Sequence, residues 1–205
     1  GAEAHVLIAE GAAMAGIAGE AWQVLLPPFA PEDGDGSAAP VDLAGPYLPA
    51  RAHPLLQGVT LDGIVWTGAR PALRAGTPIL SAGEIPLLTE EAWFGTARFR
   101  MNLDLARTNL PDSPDWPILV SNLAEMRRAT LPGLRRPAWR SGEPVRLRLP
   151  RDLLGRTLVL EGPDGDRREI PGADPLVLRP PPRCGRYVLR DPEGETFASF
   201  AVNFH

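Results

Sequence analysis

Short apolar runs bounded by glycine or proline dominate the first part of the chain. Bounded runs of about four to eight residues are typical of buried strands, because glycine and proline interrupt the regular backbone on either side. The runs lie at residues 5–10, 22–26, 59–66, 77–81 and 85–88. Between them, residues 31–46 are rich in proline, glycine and aspartate, which predicts an exposed loop.

One further segment of the first part has a strict alternation. Within residues 97–103, apolar residues alternate with Arg98, Arg100 and Asn102. A period of two predicts a half-buried strand with one face in the core. Such a strand presents the three polar residues to solvent.

The clearest helix is predicted to begin near Ser113. The Ser113 hydroxyl can accept hydrogen bonds from the free amides, Pro114 suits the first helical position, and Asp115 complements the helix dipole. Apolar residues then recur at helical spacing and form one stripe. The stripe consists of Trp116, Leu119, Val120 and Leu123.

The last third of the chain has strand periodicity without helices. Apolar residues alternate with arginines over residues 145–149. Further short strands are predicted at residues 157–161, 168–170, 176–179, 186–190 and 196–204. Short strands separated by turns at this spacing indicate a small antiparallel sandwich. The sequence therefore predicts two domains, an α/β domain over residues 1–136 and an all-β sandwich over residues 137–205.

Composition and charge narrow the classes of partner. Hydrophobic residues make up 44% and charged residues 22% of the chain, which is ordinary for a folded protein. The net charge of −4 argues against nucleic acid, whose affinity comes mainly from cations on the phosphates. The basic residues are all arginines, and Arg127–Arg128 and Arg135–Arg136 are interpreted as a solvated basic edge.

No membrane-spanning segment is expected within the chain, because no apolar run approaches the roughly 20 residues that a spanning helix needs. The chain begins at Gly1 without a methionine or a secretion signal. We therefore expect it to be a piece of a longer protein.

Residues with metal-binding chemistry do not have metal-binding spacing. The three histidines, His5, His53 and His205, have no second histidine or cysteine near them in the sequence. The acidic loop residues lack the pattern of an EF-hand and are interpreted as solvated acids. These acids are Asp33, Asp35 and Asp42. The sequence predicts no metal site and no cofactor.

A covalent nucleophile is equally unsupported. Cys184 is the only cysteine, so no internal disulfide can form, and a nucleophilic cysteine would need a nearby base. Cys184 is interpreted as an inert, half-buried thiol. His53 precedes Pro54 and is interpreted as a hydrogen-bonded structural histidine.

Carboxylates are the remaining candidates for acid–base chemistry. Glu84 and Glu90 lie near strand ends, where α/β enzymes usually form their sites. A hydrolase acting on a glycan or an amide through them is the alternative hypothesis. Glu90 with Glu91, and Asp112 with Asp115, are further candidate pairs, although adjacent surface acids are more common than paired catalytic ones.

Five tryptophans invite a carbohydrate-stacking hypothesis, but they lie in separate predicted elements. Core packing explains most of them, and Trp93 and Trp139 are predicted to be the most exposed. The set is Trp22, Trp66, Trp93, Trp116 and Trp139.

Five segments follow one another in order between residues 22 and 204. They are WQVLLPPF at 22–29, HPLLQGVTLDGIVW at 53–66, ILSAGEIPLL at 79–88, FRMNLDLARTNLPDSPDWPILVSNL at 99–123 and GRYVLRDPEGETFASFAVNF at 185–204. Together they resemble the extracytoplasmic part of bacterial membrane proteins of the Bat, or aerotolerance-regulator, type. The resemblance implies a partial class I glutamine-amidotransferase-like α/β fold followed by an immunoglobulin-like sandwich. It also implies an association with MoxR-type ATPases.

The resemblance carries over no catalytic triad. Active amidotransferases use a cysteine at a strand-to-helix elbow with a His–Glu pair, whereas Cys184 falls in the predicted sandwich. The sequence therefore favours a non-catalytic binding or scaffold region, extracytoplasmic (periplasmic) and membrane-anchored through its parent protein. Its expected partners are proteins or neighbouring domains of that parent. A carbohydrate-binding protein that uses exposed tryptophans is the third hypothesis.

Overall fold

The structure is a computed structural model that describes residues 6–10, 21–29, 38–50, 52–93 and 95–204. The chain divides into two compact units, Gly1–Arg127 and Arg128–His205. This division lies earlier in the chain than the sequence-based boundary after residue 136. Strand pairing accounts for the position, because Gly133 and Leu134 pair with a strand of the second unit.

Strands make up most of the regular structure of the first unit. The bounds are β1 Val6–Glu10, β2 Trp22–Leu26, β3 Val41–Leu43, β4 Leu48–Pro49, β5 Trp66–Ala69, β6 Thr77–Ala82, β7 Ile85–Trp93 and β8 Thr96–Met101. Two 3-10 turns, Pro54–Leu56 and Leu110–Asp112, and the helix α1, Asp115–Arg128, complete the described elements.

Six of these strands form one mixed sheet in the order β1-β2-β8-β7-β6-β4. The strands β1, β2 and β8 are parallel, and the remaining pairs are antiparallel. The strands β3 and β5 form a separate two-stranded sheet. The fold is thus β-rich, with one α-helix among the described residues.

The predicted helix is confirmed, with two corrections. Leu119 and Leu123 are buried in the core of the first unit, but Val120 is 41% exposed, so the apolar stripe is narrower than predicted. The Ser113 hydroxyl donates to the Leu110 carbonyl at 2.8 Å instead of accepting from the first helical amides. Asp115, the first helical residue, is buried.

Two predictions about loops and strands of the first unit are wrong. The strand predicted over residues 59–66 is a loop, and regular pairing begins only at Trp66. The amides of Thr60 and Leu61 donate to the Asp115 carboxylate and are therefore not available for a sheet. The loop predicted over residues 31–46 contains β3, while residues 31–37 lie outside the described part of the chain.

The strand β8 is buried on both faces, which corrects the half-buried prediction. Arg98, Arg100 and Asn102 are only 7%, 2% and 0% exposed. Their polar groups have partners inside the unit: Arg98 donates to Gln23 at 2.9 Å and Arg100 to Glu91 at 2.9 Å. A polar residue can occupy a buried position when it is hydrogen-bonded, so alternation with polar residues does not identify a solvent face here.

The second unit contains only strands and one 3-10 turn in its described part. Its strands are β9 Gly133–Leu134, β10 Ala138–Arg140, β11 Val145–Arg148, β12 Thr157–Glu161, β13 Arg167–Pro171, β14 Leu176–Leu178, β15 Gly185–Arg190 and β16 Thr196–Asn203. The six strands predicted from the sequence are confirmed to within one residue at each end; β9 and β10 were not predicted.

These strands form two sheets around a single core. One sheet has the order β10-β16-β15-β12-β13 and the other β14-β11-β9. Strand β10 runs parallel to β16, and the other pairs are antiparallel. Val145 and Leu147 of the smaller sheet share one buried cluster with Leu158 and Leu189 of the larger sheet. The prediction of an all-β second part is confirmed at this level.

Candidate functional site

An open cleft of about 740 Å³ lies in the first unit, within the size range of small-molecule sites. It is lined by the segment around the 3-10 turn Pro54–Leu56, by the loop that contains Thr60 and Leu61, and by Tyr47 and Leu80. We call it the His53 cleft, because His53 is the one histidine among the described residues that line it. Its chemistry depends on which of these side chains remain available to a ligand.

His53 is occupied in holding the backbone. Its Nδ1 accepts a hydrogen bond from the Leu55 amide at 3.2 Å and so caps the 3-10 turn. Because Nδ1 is an acceptor, the ring proton is assigned to Nε2, which donates to Glu90 Oε2 at 3.2 Å. Both ring nitrogens therefore have partners. The prediction that His53 is hydrogen-bonded is confirmed.

Tyr47 forms a fixed wall of the His53 cleft. Its hydroxyl lies 2.9 Å from the Leu43 carbonyl and 2.8 Å from the Ile64 carbonyl, and its single proton can be donated to either of them. Burial raises the pKa of Tyr47 above its ordinary value of 10.0, because desolvation disfavours the phenolate. Tyr47 thus remains neutral near pH 7 and acts as a hydrogen-bond donor to the backbone.

The loop beside this wall is held by a buried carboxylate. Asp115 is 4% exposed, and its two oxygens accept from the amides of Thr60 at 3.1 Å and Leu61 at 2.8 Å. Leu61 has a φ of 59°, a conformation that is costly for a residue with a branched side chain. Asp115 therefore stabilises a strained loop that lines the cleft.

The structure does not assemble the predicted pairs of carboxylates. Glu84 is exposed at the β6–β7 turn, and Glu90 lies six residues further along β7, about 20 Å away for an extended strand. Glu90 contacts His53, whereas Glu91 contacts Arg100, as expected for neighbours on opposite faces of a strand. These three acids are therefore not positioned as an acid–base pair.

The pair of Asp112 and Asp115 is also unsuitable for acid–base chemistry. Asp112 is exposed in a 3-10 turn, while both oxygens of Asp115 are occupied by loop amides. The structure thus assigns Asp115 to the backbone of the cleft.

Metal-binding groups do not converge in the part of the chain that the structure describes: no three histidine, cysteine or acidic side chains are close enough to hold an ion. Asp42 is already paired, because its oxygens accept from the Gly68 amide at 2.9 Å and from Arg107 at 3.1 Å. Asp33, Asp35, His5 and His205 lie outside the described residues.

Cys184 packs half-buried against the core of the second unit. It lies just before β15, within an all-β core and in a different unit from His53. The half-buried location predicted for the thiol is confirmed.

The tryptophans are covered more than the sequence predicts. Trp139 is only 9% exposed, which corrects its predicted exposure, and Trp93 is half-buried. A guanidinium lies over each ring: Arg98 is 3.2 Å from the Trp93 ring centroid and Arg136 is 3.9 Å from that of Trp139. A sugar cannot stack on a face that a guanidinium already covers, so the carbohydrate hypothesis loses its support.

A second cleft, of about 620 Å³, was not predicted from the sequence. It lies in the second unit and is lined by Arg135, Arg136, Arg146, Arg148 and Trp139, among others. We call it the arginine cleft. Two sequence signals point toward it separately, the Arg135–Arg136 pair and the arginines that alternate along β11, but only the fold places them together.

The two units have opposite formal charges. The first unit contains 7 arginines and 15 acidic residues, a formal charge of −8. The second contains 14 arginines and 10 acidic residues, a formal charge of +4. The overall charge of −4 therefore conceals a basic unit that carries the arginine cleft.

Two carboxylates of the second unit have lowered pKa values. A hydrogen bond from the Arg140 amide, with the charge of Arg136, holds the pKa of Glu143 below its ordinary value of 4.5. A hydrogen bond from Arg190, with the charge of Arg167, does the same for Glu161. Each carboxylate is thus stabilised in its ionised form by the folded state.

This arrangement predicts that acid destabilises the chain. Because both folded pKa values lie below the unfolded value, their contribution to stability is complete above the unfolded pKa and is lost as the pH falls through the folded pKa values. A Glu143→Gln/Glu161→Gln variant should show a flatter dependence in that window. Thermal unfolding followed by circular dichroism between pH 3 and 7 measures it. The control, Glu169→Gln, alters an exposed carboxylate and should keep the wild-type slope; an unchanged slope in the double variant would contradict the prediction.

No family model and no curated protein matches the chain. Among the described residues, no helix has the length and apolarity that crossing a membrane requires.

Proposed function

We propose that the chain is a non-catalytic binding or scaffold region, located outside the cytoplasm of a bacterium and anchored to the membrane through its parent protein. Its partners are other proteins or neighbouring domains of that parent. The observation that carries the proposal is the state of His53. The histidine of the His53 cleft has both ring nitrogens bound to protein groups, so it neither accepts nor delivers a proton without giving up a structural hydrogen bond.

Two features support an immunoglobulin-like fold for the second unit. Its two sheets, β10-β16-β15-β12-β13 and β14-β11-β9, have the two-layer arrangement of that fold. Tyr187 lies near the start of β15. Its hydroxyl donates a hydrogen bond of 2.9 Å to the carbonyl of Arg183, four residues upstream. A tyrosine that closes the corner before a strand in this manner is a hallmark of immunoglobulin-like domains.

Support for an amidotransferase-like first unit is narrower. The parallel strands β1, β2 and β8, together with α1, are the elements that an α/β fold of that class would contribute. The strands β7, β6 and β4 add an antiparallel extension. We propose a partial fold of that class, in line with the resemblance to Bat-type proteins in the sequence.

The alternative is a hydrolase acting on a glycan or an amide. One observation favours it: His53 and Glu90 are 3.2 Å apart beside an open cleft, and a histidine oriented by a carboxylate is a common general base. Under this hypothesis the pair would activate water or a hydroxyl, and the hydrogen bond to Leu55 would have to break.

A turnover assay separates the two hypotheses. We expect no hydrolysis of amide or glycan substrates above background by the wild-type chain, and no difference for Glu90→Gln, which keeps an acceptor for His53. A wild-type activity that Glu90→Gln abolishes while the variant remains folded would establish the hydrolase instead.

Site-specific photo-cross-linking tests the binding function directly. A benzophenone side chain at Gln57, which is exposed and lines the His53 cleft, is expected to give discrete cross-linked species in the envelope of the source bacterium. The same group at the exposed Glu84 serves as the matched control. Equal cross-linking at both positions would indicate non-specific contact and contradict the use of this cleft.

A further inference from the structure

We infer that the arginine cleft binds an extended acidic peptide segment through its carboxylates. The cleft lies entirely in the second unit, whereas the proposed function rests on the His53 cleft of the first. The inference therefore goes beyond the proposed function and holds whether or not the first unit is catalytic.

The arginine cleft has an excess of positive charge. Arg136 and Arg148 have carboxylate partners at the margin of the cleft, Glu143 and Asp174. Arg135 and Arg146 are exposed, and neither has an ion-pair partner within the ranges that the structure describes. Two guanidinium groups in one cleft thus remain available, and arginine pairs with carboxylates through two parallel hydrogen bonds.

The arginines of β11 are spaced as alternate residues of a strand. Arg146 and Arg148 are two residues apart, so both project from the same face while Leu147 between them enters the core. Their attachment points are separated by about 6.6–6.8 Å, the repeat of alternate residues in a strand. An extended peptide repeats its own side chains at the same interval, so a peptide carboxylate opposite Arg146 places the next alternate one opposite Arg148, where it would compete with Asp174 at 3.6 Å.

The surface beside Arg146 and Arg148 is open next to Gly133. The residues that pair with Arg146 and Arg148 in the neighbouring strands are Val177 and Gly133. A side chain built on Gly133 would meet nothing within 4 Å. Gly133 therefore leaves room for a peptide main chain beside Arg148, which a large side chain at this position would fill.

The experiment measures fluorescence anisotropy of labelled peptides with the whole 205-residue chain. The probe is Glu-Thr-Glu-Thr-Glu-Thr, and its matched peptide, Glu-Glu-Thr-Thr-Glu-Thr, has the same charge but no two glutamates that are two residues apart. We expect the alternating peptide to bind at least threefold more tightly. Raising the salt concentration should weaken its binding, because the contacts are between charges.

Matched protein variants locate the site. Arg135→Glu/Arg146→Glu is expected to weaken binding of the alternating peptide at least tenfold. The control, Arg168→Glu/Arg179→Glu, makes the same change in net charge at two exposed arginines outside the cleft and should retain affinity within about twofold. Circular dichroism checks that each variant keeps its β structure, and Arg146→Gln provides a milder change if the charge reversal does not fold.

Each remaining outcome would overturn the inference. Equal losses in both double variants would indicate general attraction to a basic unit. Equal affinity for the two peptides would show that the spacing of the carboxylates does not affect binding. Binding of inorganic pyrophosphate without binding of either peptide would assign the cleft to a compact anion. Absence of binding by all probes would leave the arginines as a solvated face.

Discussion

Replacing Asn102 with alanine is expected to lower the free energy of unfolding of the first unit by about 3 kcal/mol. Asn102 is fully buried, and its side-chain amide makes three hydrogen bonds. Oδ1 accepts from the Arg70 amide at 2.8 Å, and Nδ2 donates to the carbonyls of Arg70 at 3.0 Å and Pro86 at 2.7 Å. Alanine leaves these partly buried backbone groups without their partners.

Asn109 provides a matched control for this substitution. It makes a similar set of backbone contacts, accepting from the Val65 amide at 2.8 Å and donating to the Gly63 carbonyl at 2.9 Å, but it is exposed. Water can replace its amide, so Asn109→Ala should cost only about 1 kcal/mol. Denaturant unfolding followed by tryptophan fluorescence suits this comparison, because Trp139 is the only tryptophan outside the first unit.

A conservative change at the same position tests the donor role of the amide. Asn102→Asp keeps the acceptor for Arg70 but places a negative charge against two carbonyl oxygens. At neutral pH it should be at least as destabilising as alanine, and protonation at low pH should recover part of the loss. Equal costs for Asn102→Ala and Asn109→Ala would show that burial of the amide contributes nothing extra.

The second large effect is expected at Asp115. Asp115→Ala should also lower the free energy of unfolding by about 3 kcal/mol, because the amides of Thr60 and Leu61 lose their acceptor and that of Leu61 is buried. Without the Asp115 carboxylate, Leu61 is no longer held at its unfavourable φ of 59°, so the loop around it is expected to change conformation. Asp115→Asn should be intermediate, since an amide oxygen can accept from only one side of the former carboxylate.

The neighbouring acid Asp62 separates this effect from a general loss of charge. Asp62 is exposed in the same loop, and Asp62→Ala should stay within about 0.5 kcal/mol of the wild type. Denaturant midpoints measure all three variants. Amide hydrogen exchange of residues 59–65 should increase in Asp115→Ala and remain unchanged in Asp62→Ala; protection that persists in Asp115→Ala would contradict the role of this carboxylate.

The strands of the second unit were predictable because their apolar residues alternate with solvent-facing polar ones. In β11, Val145 and Leu147 are buried while Arg146 is exposed, so the period of two identifies the core face. The same rule misled for β8, because Arg98 and Arg100 are buried against polar partners. Those partners lie far from β8 in the sequence or on a neighbouring strand, and no local pattern indicates them.

The candidate sites depend even more on distant contacts. The sequence predicts that His53 is hydrogen-bonded, but it does not indicate the partner, because the contact with Glu90 spans 37 residues. The loop of Thr60 and Leu61 was mistaken for a strand because its residue types favour extended structure. Its backbone is instead held by Asp115, 54 residues beyond Leu61.

The position of β8 has a consequence for the order in which the protein is made. This strand joins β2 to β7 at the centre of the six-stranded sheet, yet it is the last strand of that sheet to leave the ribosome, and its contact with Gln23 spans 75 residues. Until it emerges, the nascent chain holds two partial sheets whose unpaired edges can join other chains. Shielding by chaperones during that interval would limit such association.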